Sequence, residues 1–481
     1  MPHLFPFPMT SPSFRVAALL AALFSFVAWP AAHAQESPPP APEGPWHGTI
    51  ETGGQQLTAV FHLERDEDGA LTATMDVPQQ SASGIPVSDV RAKADSLRLV
   101  VGAIGGVFEG ARTPNGSIEG TWKQNGVTAP LVLEKGAPKS SEASAPARPQ
   151  TPEPPFPYDT EDVRFESNAA GVELAGTLTM PEGEGPHPAV VLISGSGPQN
   201  RNGRVAGHET LHVLADALTR RGVAVLRYDE RGVGKSSGTF AGATAEDLAA
   251  DARAGFDFLR QRNDLGKVGL IGWSEGAIVA SMIAARSGTP DFLVLMSAPS
   301  VPGKALLQEQ SARIAEAQGA PPATLDSIRA AQDRLLSAVA QAPDSAEAAA
   351  QIRQVLSERQ KSEKTIEAQI QQYTAPWFRY FVSHDPRPAL RKVDAPVLGL
   401  YGANDLQVPP QQNAAPLREA LSGNPGTTVE VLPGLNHLFQ PAETGLPSAY
   451  RQTETTIAPK ALQRIAGWIT ERMRTGSGDA P

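Results

Sequence analysis

The chain has 481 residues, 41% of them hydrophobic, which is enough for two or three packed domains. Its formal net charge of −10, with no dense Lys/Arg cluster, excludes the basic footprint of a nucleic-acid binder. With no cysteine, disulfides, thiolate metal sites, cysteine nucleophiles and a lipidated N-terminal cysteine are excluded together, so the core must hold by packing alone.

The first element in chain order is a secretory signal. Arg15 precedes the apolar run 16–29, which is too short and too poorly flanked for a stable membrane span. Ala32-His33-Ala34 fits a small-x-small cleavage site, so residues 1–34 are expected to leave and Gln35 to open the mature protein. The expected product is exported, periplasmic or secreted, without stable membrane insertion; an uncleaved anchor is the alternative. A Pro-rich spacer, 36–45, follows.

Residues 46–135 read as a small all-β domain, a barrel or a sandwich. The runs 56–63, 71–77 and 97–101 alternate apolar and polar residues, and Asp68-Gly69, Asn115-Gly116 and Asn125-Gly126 stand between such runs. Hairpin turns need residues that tolerate positive φ, and these dipeptides do. Residues 136–158 are rich in Pro, Ala and Ser and read as a linker.

From Asp159 onward, through about residue 475, short apolar runs alternate with helical stretches. A leading hairpin is expected at 163–167 and 172–180, then strands at 189–193, 223–228, 268–271, 292–296, 397–401 and 429–432. Helices are expected at 209–220 and 245–260, the second opened by a capping-box-like Thr244 and Asp247. Such alternation implies a mostly parallel sheet with helices on both faces. Residues 301–390 break the pattern. They are rich in Ala, Gln, Glu and Arg, with spaced Ile314, Ile328, Leu335, Leu336, Ile352, Val355 and Leu356, and read as amphipathic helices forming a cap.

Gly272-Trp273-Ser274-Glu275-Gly276 carries the chemistry, lying between a strand and a helix expected at 277–286. A serine hydroxyl is a poor nucleophile unless it is presented sharply and relieved of its proton. A strand-turn-helix elbow presents it, its flanking glycines allow close backbone approach, and the helix aims its positive end at the site. Downstream of Ser274 the histidines are His384 and His437. His437, just after the last strand, is preferred as the base, since His384 lies at the end of the helical insertion. Asp405, one loop past strand 397–401, is preferred as the orienting acid over Asp385 and Asp394, which precede that strand. The oxyanion needs two donors. One is expected from the backbone N–H of Glu275. The other comes from the loop Ser194-Gly195-Ser196-Gly197-Pro198-Gln199, where Ser196 is favoured and Gly197 is second. That loop lacks the terminal Gly-Lys-Ser/Thr of a phosphate-binding loop. In Asp229-Glu230-Arg231-Gly232-Val233-Gly234-Lys235-Ser236 the third glycine of a dinucleotide fingerprint is missing, so Asp229 and Arg231 read as bracing a loop. No pattern calls for a metal or a cofactor.

These residues together resemble the α/β-hydrolase superfamily, and most closely a bacterial group of exported esterases related to serine aminopeptidases. The resemblance covers about 159–473. It rests on Gly195 to Asn202, on Asp229 to Ser236 and on the elbow, with Trp273 where many members carry His and Asn200 and Asn202 where many carry Asp. Residues 46–135, with Asp76-Val77-Pro78-Gln79-Gln80, resemble the β-domain that precedes the hydrolase in some members. The resemblance implies a carboxylesterase acting on small-molecule acyl esters. An exported peptidase or aminopeptidase with the same three residues is the alternative, and an inactive binding protein is a third reading that the intact Ser, Asp, His set argues against.

Overall fold

The computed structural model describes residues 42–474, except 53–54, 66–68, 78–81, 94, 125–126, 137–146, 168–170, 287–289 and 359–362. The signal segment 1–34, the Pro78-Gln79-Gln80 stretch and the Asn125-Gly126 turn lie outside the described residues, as does part of the linker.

The N-terminal region is all strand. It comprises β1 (Gly44–Thr52), β2 (Gln55–Arg65), β3 (Leu71–Val77), β4 (Ala82–Pro86), β5 (Asp89–Ala92), β6 (Ser96–Val101), β7 (Gly106–Arg112), β8 (Ile118–Gln124) and β9 (Val127–Lys135). They form one antiparallel sheet in the order β4-β3-β2-β1-β9-β8-β7-β6-β5. β3 and β5 stand near opposite ends of that order yet touch, so the sheet curls around a single core of Trp46, Phe61, Leu63, Leu99, Phe108 and Trp122. Of the two architectures expected, this is the barrel-like one. Alternation explains it: β6 buries every second side chain, as a sheet with one wet face requires.

The second region opens with the expected hairpin, β10 (Asp159–Ser167) and β11 (Val172–Met180), then β12 (His187–Ile193). After a two-residue pair, β13 (Arg204–Val205) and β14 (His208–Glu209), come α1 (Thr210–Thr219), β15 (Ala224–Tyr228), α2 (Ala245–Arg260), β16 (Leu265–Trp273), α3 (Glu275–Ala284) and β17 (Leu293–Met296). The sheet order is β10-β11-β15-β12-β16-β17, continued by β18 (Val397–Gly402) and β19 (Thr428–Leu432), and every pairing from β15 through to β19 is parallel. β12 shows why. Ala189, Val191 and Ile193 face a core shared with α2 and α3, while Val190 and Leu192 face a second core shared with α1. A strand apolar on both faces needs helices on both. Thr244 starts α2 as expected, its backbone N–H donating to the Asp247 carboxylate at 2.8 Å.

Between β17 and β18 lies the cap: α4 (Gly303–Ala317), α5 (Pro322–Gln341), α6 (Ser345–Ser357), α7 (Glu363–Thr374), α8 (Pro376–Ser383) and α9 (Arg387–Leu390). Leu335, Leu336, Ile352 and Leu356 build its own core with Phe378 and Val382, whereas Ile314 and Ile328 stay half-exposed and Val355 packs at the edge. α4 begins at Gly303 because it crosses α8 there: a Cβ would meet the Phe381 carbonyl at 1.8 Å. The chain continues through α10 (Pro410–Ala420) to α11 (Pro459–Arg474), which lies with α1 on the second core.

The linker reading holds less well than the rest. Residues 147–158 are pinned to the hydrolase region. Arg148 donates to the Thr453 and Arg451 carbonyls at 2.7 and 2.6 Å, and the Gln150 carbonyl accepts from Thr456 and Ile457 at 2.6 and 3.0 Å. Tyr158 is buried and donates to Asp216 at 2.9 Å. Composition predicted a segment that buries little; backbone hydrogen bonding and one aromatic anchor overrode it. No helix among the described residues is long and apolar enough to cross a membrane.

Candidate active site

β16 runs directly into the elbow. Ser274 sits at φ 55°, ψ −118°, a conformation that L side chains hold only when their surroundings over-determine it. The two glycines supply those surroundings. A Cβ on Gly272 would meet the Gly276 carbonyl at 2.2 Å, and one on Gly276 would meet the Ile193 and Ser194 carbonyls at 2.3 and 2.4 Å. The strand-to-helix turn is therefore clamped between β12 and the first turn of α3, which starts at Glu275 rather than at the expected 277.

The loops after β18 and β19 bring the other two residues in. His437 Nδ1 lies 2.9 Å from Asp405 Oδ2, and both side chains are buried. Asp405 Oδ1 accepts from the Gln407 and Val408 backbone N–H groups, each at 2.8 Å, so the carboxylate cannot turn away. With Nδ1 engaged, Nε2 is the imidazole nitrogen left for a serine hydroxyl, and His437 and Ser274 line the same cavity. His384 does not line it. It stacks on Tyr380 with ring centroids 5.2 Å apart. Asp385 pairs with Arg387 at 2.7 Å and Asp394 is exposed. Trp273 ties the elbow to the base: its indole N–H donates to the His437 carbonyl at 3.1 Å, and its ring meets Phe439 edge-on at 5.8 Å.

The loop 194–199 lies against the serine, since a Cβ on Gly195 would stand 3.4 Å from Ser274 Cβ. Ser196 and Gly195 line the cavity beside Ser274, which puts this loop where an acyl oxygen would be held. Gly197, the second choice, takes φ 89°. A carboxyl missed in the sequence supports the loop from beneath. Buried Glu230 accepts from the Ser194 hydroxyl at 2.6 Å and from the Gln199 N–H at 2.8 Å. Burial, helped by the neighbouring Glu275 and Asp251 charges, pushes its pKa up to about 8 against the hydrogen bonds that favour the charged form. Asp229 accepts from the Arg201 backbone, the Arg201 guanidinium and the Lys235 N–H, and Arg231 makes a two-pronged pair with Asp251. Both brace loops, as expected.

The cavity measures about 300 Å³. The cap supplies one wall, with Leu306, Leu307 and Gln310 from α4 and Trp377 and Phe381 from α8. Leu211, Val205, Val408 and Leu438 line the hydrolase side, with Gln199 and Gln407 as neutral polar groups. None of the described lining residues is Asp, Glu, Lys or Arg. The cap-wall residues were not legible in the sequence, because helical periodicity tells which face is apolar but not what that face covers.

The X-Pro dipeptidyl-peptidase (S15 family) profile matches residues 170–436, more than half of the chain. Esterase EstD of Thermotoga maritima is 24% identical over 298 residues, covering 62% of this chain and 66% of that protein, so the match spans just under two thirds of its relative. Among solved structures, an esterase of Pyrococcus furiosus is 16% identical with a TM-score of 0.41, covering 66% of this chain and 91% of that one. A proline iminopeptidase of Mycobacterium smegmatis is 17% identical with a TM-score of 0.43, covering 66% and 100%.

Proposed function

The chain belongs to the X-Pro dipeptidyl-peptidase (S15) family of serine hydrolases, and from that premise we propose that it is an exported esterase cleaving neutral, small-acyl carboxylic esters at Ser274. The observation that carries the reading is the cavity: Ser274 and His437 open into a wall of apolar and neutral polar side chains. A charged substrate would enter it without a counter-charge, which is costly in a poorly hydrated site.

The chemistry follows from the geometry. His437, held through Nδ1 by Asp405, takes the Ser274 hydroxyl proton on Nε2 as Oγ bonds to the ester carbonyl carbon. The carbonyl oxygen gains the negative charge and is met by the backbone N–H groups of Glu275 and of Ser196, in the loop that lies against Ser274. Collapse breaks the bond to the alkoxy oxygen, and His437 returns the proton to the leaving alcohol. Water, deprotonated by His437, then splits the acyl–Ser274 bond and frees the acid. The elbow's φ of 55° presents Oγ before substrate arrives, so little reorganisation is needed at the moment of reaction.

The peptidase reading is favoured by the family's description and by EstD's absence of any peptidase wording being no argument against it; its weakness is local. A free substrate amine would need a carboxylate in the cavity wall, and the described lining carries none.

The test is to react the protein with a fluorophosphonate, map the adduct, and compare short p-nitrophenyl esters with aminoacyl- and dipeptidyl-anilides. Labelling at Ser274 with ester turnover is the expected result. No adduct at Ser274 defeats the hydrolase mechanism, and efficient anilide cleavage with little ester turnover defeats the esterase.

A further inference from the structure

Glu275 has two ends with different duties. Its backbone follows the nucleophile at the start of α3, while its side chain turns away from the cavity and is buried at 2% exposure. There Oε1 accepts the Trp377 indole N–H at 2.7 Å, across 102 positions of sequence, and Oε2 has no hydrogen-bond partner. Trp377 belongs to α8, and its ring both lines the cavity and stacks on Phe381 with centroids 5.7 Å apart at 22°.

We propose that Glu275 is a positioning residue that fastens cap helix α8 to the nucleophile elbow, and through Trp377 sets the size of acyl group the cavity admits. The inference rests on the esterase reading of this site. The indole has one donor, and it is spent on a carboxylate shielded from water, where a charge-assisted bond is strongest and most directional. Burial pushes that carboxyl up, opposed by the Ser196 hydroxyl and by the same indole, so the bond also favours the charged form. Losing either partner leaves Trp377 free to swing and Phe381 without its stacking neighbour. The wall of Leu306, Leu307, Trp377 and Phe381 then loses its fixed member. A second tie from α8, the Tyr380 hydroxyl to Glu246 at 3.1 Å, is exposed and lies outside the cavity, which makes it a natural control.

The experiment compares kcat and KM for p-nitrophenyl acetate and octanoate in the wild type, Trp377→Phe, Glu275→Ala, Glu275→Gln, the double variant Trp377→Phe/Glu275→Ala, and Tyr380→Phe. Trp377→Phe and Glu275→Ala are expected to shift the octanoate-to-acetate ratio of kcat/KM by about fivefold or more, mainly through KM. The double variant should go no further than the larger single one, because both break one bond. Glu275→Gln keeps an acceptor for the indole and should restore the ratio to within about twofold of wild type, as should Tyr380→Phe. An unchanged ratio in Trp377→Phe, or a double variant whose effect is the product of the singles, overturns the proposal. Amide hydrogen exchange over α8 provides a readout independent of turnover. Exchange should quicken by about tenfold in Trp377→Phe, and unchanged protection overturns the latch even if the protein hydrolyses no ester. Failure of the fluorophosphonate to label wild-type Ser274 would instead defeat the esterase reading. If Glu275→Ala fails to fold, Trp377→Phe and Glu275→Gln still decide the matter.

Discussion

Trp273 holds the backbone of His437: the residue before the nucleophile donates its indole N–H to the carbonyl of the base, 164 positions away. The elbow and the histidine loop are thus one unit in which neither can shift alone. Trp273→Phe leaves a buried carbonyl unpaired. Stability should fall by about 1–3 kcal/mol, with a lower kcat as the imidazole loses its fixed distance to Ser274. Denaturant midpoints and ester kinetics on the same preparation check this, and equal kcat in both proteins would refute the coupling.

Ser274→Ala, His437→Ala and Asp405→Asn should each lower kcat by about a thousandfold or more, and because the three act together the combined variants should add little. His384→Ala should retain turnover, since its ring stacks on Tyr380 away from the cavity. Reversal of the two histidine results would reassign the base.

The left-handed backbone of Ser274 is held at a cost. Ser274→Gly removes the Cβ that makes φ 55° unfavourable, so the inactive variant should be more stable than Ser274→Ala by about 1 kcal/mol or more. Thermal or chemical unfolding of the pair measures it, and a less stable glycine variant would show that the turn is unstrained.

Gly276→Ala places a methyl 2.3 Å from the Ile193 carbonyl, a rigid strand end. The predicted loss is about 1–3 kcal/mol. Fluorophosphonate labelling should slow as the 194–199 loop is pushed off Ser274, and normal labelling would show that the loop yields elsewhere.

Glu230 gives the stability a pH slope. Its folded pKa of about 8 exceeds the ordinary 4.5, so between these values the native state holds a proton that the unfolded chain has released. Its contribution is therefore fully present below 4.5 and is lost as pH rises through about 8. Relative to Glu230→Gln, which cannot titrate, the wild type should lose stability steadily across that window. Denaturant midpoints at several pH values read this out, and parallel curves would rule it out.

The sheet and the elbow were legible because they rest on local rules: apolar runs of strand length, a capping pair, and glycines needed by close approach. Ser274, Asp405 and His437 could be ordered because each follows a strand end, where loops of this fold gather. Glu230 and Trp377 could not. Glu230 sits in a Gly-rich loop sequence whose charges all look alike, and nothing local distinguishes the one that is buried under Ser194. Trp377 lies in a cap whose helices announce an apolar face but not its partner, and its bond to Glu275 depends on how α8 returns over the sheet. The linker misled for the same reason: Arg148 and Gln150 are ordinary polar residues until their carbonyl and amide partners arrive some 300 positions later.

That clasp changes where the enzyme can be divided. Arg148 and Gln150 stitch down the stretch around 451–457, and the neighbouring Tyr450 carbonyl lies 2.9 Å from His208 Nε2, which meets Gln440 in the loop that carries His437. A graft or truncation cut at Asp159, where composition suggests a seam, would strip support from the histidine loop while leaving every strand of the parallel sheet intact. The transferable catalytic module begins about a dozen residues earlier, at Arg148, and a chimera built from there carries its own fastening with it.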